Sequence, residues 1–175
     1  MALTGTVYIR GLREMTVRAA TGAPVKFPAA QTLSFKEVLT NGELRGNDGV
    51  VASISFTDKV EWSLENGGIS LEALAVMTGR AIVLTGTGSS EVDTMSIKVG
   101  DAMPYFELRG RALSDDGGDL HAVMFKCKLS DGFEGEMKDG EFYIQNASGV
   151  ALGRDSDGKI ADIVRNETAT ALPTI

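Results

Sequence analysis

Across 175 residues the chain has one cysteine, Cys127, and one histidine, His121. A lone cysteine cannot close an intrachain disulfide, and one Cys with one His cannot supply the ligands of a zinc centre. Long apolar runs are also missing, since nothing approaches the roughly 20 residues of a membrane-spanning helix. Met1 to Arg10 lacks the basic and then apolar pattern of a secretory leader. Cations are too few to grip nucleic acid: 17 Lys and Arg against 24 Asp and Glu leave a formal charge of −7, whereas tight DNA binding needs clustered positive charge that displaces counterions. The rest of the composition, 43% hydrophobic and 23% charged, is that of one globular domain spanning 1–175.

Glycine is what the chain has in excess, at 21 residues, or about 12% against a usual 7%. The glycines separate short alternating runs, which is how a β protein with many turns reads. Val60, Trp62 and Leu64 alternate with Lys59, Glu61, Ser63 and Glu65, so one face enters a core and the other meets water. Val123, Phe125, Cys127 and Leu129 are expected on one side of a strand with Lys126 and Lys128 on the other, and Phe142 with Ile144 alternate with Glu141, Tyr143 and Gln145. Further strands are expected near Thr6–Ile9, Met15–Arg18, Val51–Phe56, Ala81–Thr85, Ser96–Val99, Tyr105–Ala112 and Ile160–Val164. One segment departs from the period of two. Ser70 to Gly79 opens on an N-cap residue, carries Glu72 at the positive end, brings Leu71, Leu74 and Ala75 together and stops at glycine, the pattern of one short helix. Residues 20–32 and 40–49 read as extended loops and 166–175 as a flexible tail. The fold class is therefore mainly β: a sandwich or partial barrel with one short flanking helix at about 70–79.

Chemical motifs are weak. Gly153 to Ile160, GRDSDGKI, has the glycine and lysine spacing of a phosphate loop, but Ile160 stands where a hydroxyl should hold magnesium, so it reads as a turn. Gly86-Thr87-Gly88 lacks the third glycine of a dinucleotide loop and a following long helix. Asp155 and Asp157 do not complete a calcium loop. Asp115, Asp116 and Asp119 read as solvated turn residues of a Gly-rich hairpin, and His121 as a surface or packing residue. No catalytic, cofactor-binding or metal-ligating set is expected. Charge is segregated, however: residues 1–90 hold eight basic and eight acidic side chains, and residues 91–175 hold nine and sixteen.

GELRGNDG near Gly42, followed by VEWSLENGGISLEALAVMTG up to Gly79, resembles the major tail tube proteins of long-tailed bacteriophages. So do GDAMPYFELRGRAL at Gly100–Leu113, HAVMFKCKL at His121–Leu129 and GEFYIQNASGVAL at Gly140–Leu152. The likeness spans roughly Thr6 to Val164, in element order and local wording. It implies a virion tail subunit made in the cytoplasm of the bacterial host, forming hexameric rings that stack into a tube. Its partners would be further copies of itself and other tail proteins (tape measure, terminator, baseplate or tip), with no membrane. Double-stranded DNA would pass through as non-specific cargo. An acidic lumen repels phosphates and leaves such cargo mobile, and Glu134, Glu136, Asp139 and Glu141 are candidates to line it. Pro24, Lys26, Phe27 and Pro28 are candidates for contacts between rings, and the 20–32 and 40–49 loops, the N-terminal segment and the 166–175 tail are candidates to reach neighbouring rings. Alternatives are a ring-forming tube subunit of a phage-like secretion or injection device, or a small β-barrel ligand-binding module or enzyme, which would need polar groups converging in a pocket.

Overall fold

A computed structural model of the protein describes residues 8–172. Ten strands and one α-helix follow in the order β1 (Ile9–Ala19), β2 (Val25–Lys26), β3 (Ala30–Gly46), β4 (Gly49–Gly67), α1 (Leu71–Thr78), β5 (Ile82–Thr85), β6 (Val92–Met95), β7 (Phe106–Ser114), β8 (Asp119–Glu136), β9 (Ile144–Leu152) and β10 (Ala161–Asn166). Eight strands form one antiparallel sheet in the order β2-β1-β7-β8-β9-β4-β3, with β10 also on β8, and β5-β6 is a separate hairpin. The sheet is not closed into a barrel. It doubles back through the long strand β8, whose first half pairs with β7 and β10 and whose second half pairs with β9. The result is a sandwich flanked by one short helix.

Two bulges in β8 produce the bend. Phe106 pairs with Cys127 and Leu108 with Met124, which leaves one extra residue on β8, and pairing with β9 skips from Leu129 to Phe133. An extra residue shifts the inward set by one, so Met124 and Cys127 both enter the core. The simple alternation expected for Val123 to Leu129 is thereby corrected: Val123 is buried outside the core cluster, and Phe125 is half-buried beneath the Arg154 guanidinium. The core itself lies between Met15, Val17, Phe106, Leu108 and Met124 of one layer and Val60, Trp62, Leu64 and Leu129 of the other. Trp62 meets Phe106 edge to face across the layers, with ring centroids 5.7 Å apart, a favoured aromatic geometry.

The helix forms as its caps dictate. Ser70 accepts the Ala73 N–H, and Gly79 adopts φ 71° and donates to Ala75 O at 2.8 Å. Its buried residues are Ala73, Leu74, Met77 and Thr78, one step round from the expected Leu71, Leu74 and Ala75.

Four expectations need correction. Residues 40–49 are no loop: β3 and β4 run to Gly46 and Gly49, and Asn47 and Asp48, both with positive φ, make the two-residue turn between them, the type that suits a twisted hairpin. Residues 20–32 contain β2 and the start of β3. Ser96–Val99 is not a strand, since the Asp101 carboxylate takes the Lys98 N–H at 3.0 Å and the Arg80 Nε at 2.8 Å and turns the chain there. Phe142 is 97% exposed and Gln145 fully buried, the reverse of the expected face, because Phe142 precedes β9 and the inward set of β9 runs from Gln145 through the small residues Ala147, Gly149 and Ala151. Of the expected strand at Thr6–Ile9, Thr6 and Val7 lie outside the described residues; Ile9 opens β1.

Those small residues are required. A Cβ on Gly149 would stand 2.1 Å from the Lys128 carbonyl oxygen and 2.5 Å from the Trp62 ring. Gly149→Ala is therefore expected to destabilise the fold by about 3 kcal/mol, seen as a lowered urea midpoint in the fluorescence of Trp62. A midpoint equal to that of the parent protein would contradict the packing described.

Candidate assembly surface

Strands β3, β4, β9 and β8 turn one face to the core and the other to solvent, and the register arranges the solvent face in rows. One row runs Lys36, Glu61, Val150, Lys128, and another Thr32, Glu65, Asn146, Glu134. Between them lie Ser34, Ser63 and Ser148, with Asp131 reaching in from the β8 bulge. The groups satisfy one another across the strands. The Ser34 and Ser63 hydroxyls are 2.6 Å apart, Thr32 donates to Glu65 at 2.8 Å, and Ser148 donates to Asp131 at 3.0 Å. A broad depression of about 620 Å³ overlies the serine and lysine end. It is open, and the Ser34, Ser63 and Ser148 hydroxyls that line it are engaged within the sheet.

At the other end Glu65, Glu134, Glu136 and Glu141 surround a smaller depression of about 320 Å³ with Lys138 and Asn146. Lys138 pairs with Glu136 at 3.0 Å. Three of the four acidic residues nominated from sequence thus share one surface, while Asp139 sits exposed in the turn beyond β8 and does not line it. Glu65 belongs with them; sequence reading placed it only on the solvent side of its strand. Near the opposite end, Lys126 and Lys128 bring both ammonium groups over the Tyr105 ring, at 5.1 and 5.3 Å.

The second part of the surface is a projecting ribbon. β9 pairs with β4 only from Val60 onward, so Leu39–Gly46 and Gly49–Lys59 pair with each other alone. Eight residues of β3 extend roughly 27 Å. Leu44, Ile54 and Phe56 share one face with Gly42 and Ala52 and are 64%, 65% and 54% exposed. Asn41, Glu43, Ser53 and Ser55 occupy the other, where Ser55 donates to Asn41 at 2.7 Å. The residues nominated for inter-ring contact behave differently: Phe27 is buried in the core, Lys26 pairs with Glu14 at 2.5 Å, Pro24 is half-buried and Pro28 exposed. Phe27 is thus a core residue, not the exposed loop residue expected. The Asn-Asp-Gly turn with alternating Ala52, Ile54 and Phe56 was the signal for the ribbon.

The opposite layer carries the charged cluster of the fold. Asp119 has no exposed surface, contrary to the solvated turn residue expected. Arg111 Nε donates to it at 2.9 Å, His121 Nε2 at 3.0 Å, Asn166 Nδ2 at 2.7 Å and the Thr170 N–H at 2.8 Å. Burial alone would raise its pKa, but the Asn166, Thr170, His121 and Arg111 hydrogen bonds outweigh that and lower it from 3.8 to about 2. His121 is buried beside it. Nearby, Glu107 binds Arg109 and, at 2.8 Å, Arg18. Cys127 is buried and burial pushes its thiol pKa upward, so it is inert. Gly153–Ile160 is a turn closed by Arg154, which gives two 2.5 Å hydrogen bonds to Asp157 and draws the Asp157 pKa down to about 2.

Among the described residues no group of three His, Cys, Asp or Glu side chains converges as metal ligands, and no helix is long and apolar enough to cross a membrane. No protein-family model matches the sequence, and no curated protein is significantly similar to it.

The depressed Asp119 pKa fixes a pH dependence. The folded value lies below the unfolded 3.8, so ionisation stabilises the native state above about pH 4 and this contribution, about 2 kcal/mol, is lost as pH falls towards 2. Asp119→Asn should lower stability at pH 7 by about 3 kcal/mol. The gap between variant and parent should narrow between pH 5 and 2 in urea titrations; a gap independent of pH would contradict the linkage.

Proposed function

We propose that the protein is the structural subunit of a phage tail tube, built of stacked hexameric rings whose lumen conducts the viral genome. The observation that carries this reading is the β3–β4 ribbon: a two-stranded extension is marginal alone in water, and this one holds Leu44, Ile54 and Phe56 out to solvent. An apolar face of this kind calls for a covering partner, and a second copy in the next ring supplies one. Ring closure has its own support. β3 ends the sheet on one side, and on the other the two-residue β2 covers only Thr16 and Val17 of β1. Open edges of this length are templates for strand pairing, and joining them between copies by rotation closes a ring. The solvent face of β3-β4-β9-β8 then becomes the lumen wall, with Glu65, Glu134 and Glu136 turned towards the DNA at one end and Lys36 and Lys128 at the other. Carboxylates there leave the duplex mobile, where a cationic wall would hold it. The particle would be a virion tail.

Negative-stain electron microscopy over a concentration series, with solution mass alongside, tests the reading. Six-fold rings or hollow tubes are expected, and a protein that stays monomeric throughout would overturn it. Leu44→Glu, Ile54→Glu and Phe56→Glu should each abolish stacking while changing monomer stability by no more than about 0.5 kcal/mol, as befits exposed positions. Tubes of normal length from all three variants would remove the ribbon from the assembly.

A further inference from the structure

We propose that β10 and the segment running on to Thr170 form a strap that opens separately from the rest of the fold, with Asp119 as its latch. β10 pairs with β8 and with no other strand among the described residues. Its packing is one-sided: Ile160 and Ala161 reach the core, whereas Ile163 is 61% and Val164 42% exposed. An element with so little buried apolar surface opens before the sheet around it.

Beyond the backbone ladder to β8, a set of hydrogen bonds holds the strap at its far end. Asn166 and the Thr170 N–H bind separate oxygens of the Asp119 carboxylate, at 2.7 and 2.8 Å. Asn166 also donates to the Thr170 hydroxyl at 3.1 Å, and Ala169 N–H to the Gly117 carbonyl at 2.8 Å. The carboxylate is oriented without the strap, because Arg111 of β7 and His121 of β8 hold it from within the hairpin. A buried ionised acceptor makes stronger hydrogen bonds than a solvated one, so a preformed latch awaits the strap. At its other end the strap leaves the Gly153–Ile160 turn, which is tied by Arg154 N–H to the Lys159 carbonyl and Gly158 N–H to the Arg154 carbonyl, both at 2.9 Å.

Closing the strap covers the edge of β8 from Asp119 to Met124. Opening it uncovers the main-chain donors and acceptors of that stretch of β8, so the latch controls access to a pairing edge. This inference concerns the single chain and does not depend on tube assembly.

Hydrogen exchange read by mass spectrometry on the full chain tests it, using Thr170→Pro, which removes the backbone donor together with the hydroxyl that Asn166 binds, and Asn166→Ala, which removes the side-chain donor. Peptides covering 161–166 and the β10-facing amides of 119–124 should exchange roughly tenfold faster in each variant. Peptides covering 60–67 and 144–152 should keep the parent rate. Unchanged exchange at 161–166 in both variants would show that Asp119 is no latch. Acceleration shared by all four regions would show that β10 opens only with the whole fold; either result overturns the proposal.

Discussion

The contact of Trp62 with Phe106 is the constraint around which the molecule is arranged. A single sheet has no interior until it folds over, and here the two halves meet at that edge-to-face pair. The indole can reach Phe106 only because β9, lying between β4 and β8, offers Ala147, Gly149 and Ala151 inward. The ring occupies the volume that side chains on β9 would have taken. Large and small residues on neighbouring strands interdigitate in this way throughout close-packed cores. The β8 bulges, which bend the sheet, and the helix, which adds Ala73, Leu74 and Met77 to the core, follow from the same need to enclose one aromatic cluster.

Because the core faces inward from both halves, each half also has an outer face, and the two are treated oppositely. On β3-β4-β9-β8 the outer side chains include hydroxyls and carboxylates that hydrogen-bond across strands, beside Lys36, Lys128 and Val150. On β1-β7-β8-β10 the outer charges, Glu107, Arg109, Asp119 and His121, are buried. A hydrated polar face can look onto water at no desolvation cost, whereas a buried charged layer is tolerable only if each group is paired. The first face stays open to solvent, whereas on the second the C-terminal segment bonds Asp119 and Gly117.

Much of this was legible along the chain. Val60, Trp62 and Leu64 alternate without interruption and are all in the core, and Ser70 and Gly79 mark the helix by caps that act locally. What was not legible depends on partners remote in sequence. The inward set of β8 changes at a bulge that exists only against β7. Asp119 looked like a turn residue because it follows Asp115, Asp116 and two glycines, and the donors that bury it arrive from Asn166 and Thr170, some fifty residues on. Residues 40–49 carried polar and glycine residues that suit a loop, but cross-strand pairing with 49–57 overrides so weak a local preference. Of the nominated surface, Glu134, Glu136 and Glu141 come together, while Phe27 turns inward: its neighbours Pro24 and Pro28 signalled a loop, and a loop residue can still pack.

The ribbon and the core stand in energetic contrast, and the contrast bears on assembly. Residues 60–67 are paired on both edges and packed on one face, so they share the stability of the whole sandwich. Residues 49–59 continue the same strand with one partner and no packed face. A chain that maintains strand pairing so far beyond its own core gains nothing from it as a monomer, since isolated hairpins barely repay their ordering entropy. The extension becomes favourable only when Leu44, Ile54 and Phe56 are covered. Covering those three side chains by a second copy gives roughly 1.5 kcal/mol or more apiece. That gain is repeated six-fold at each junction between rings in the proposed tube. In that proposed assembly, weak contacts multiplied by symmetry would hold the tube together.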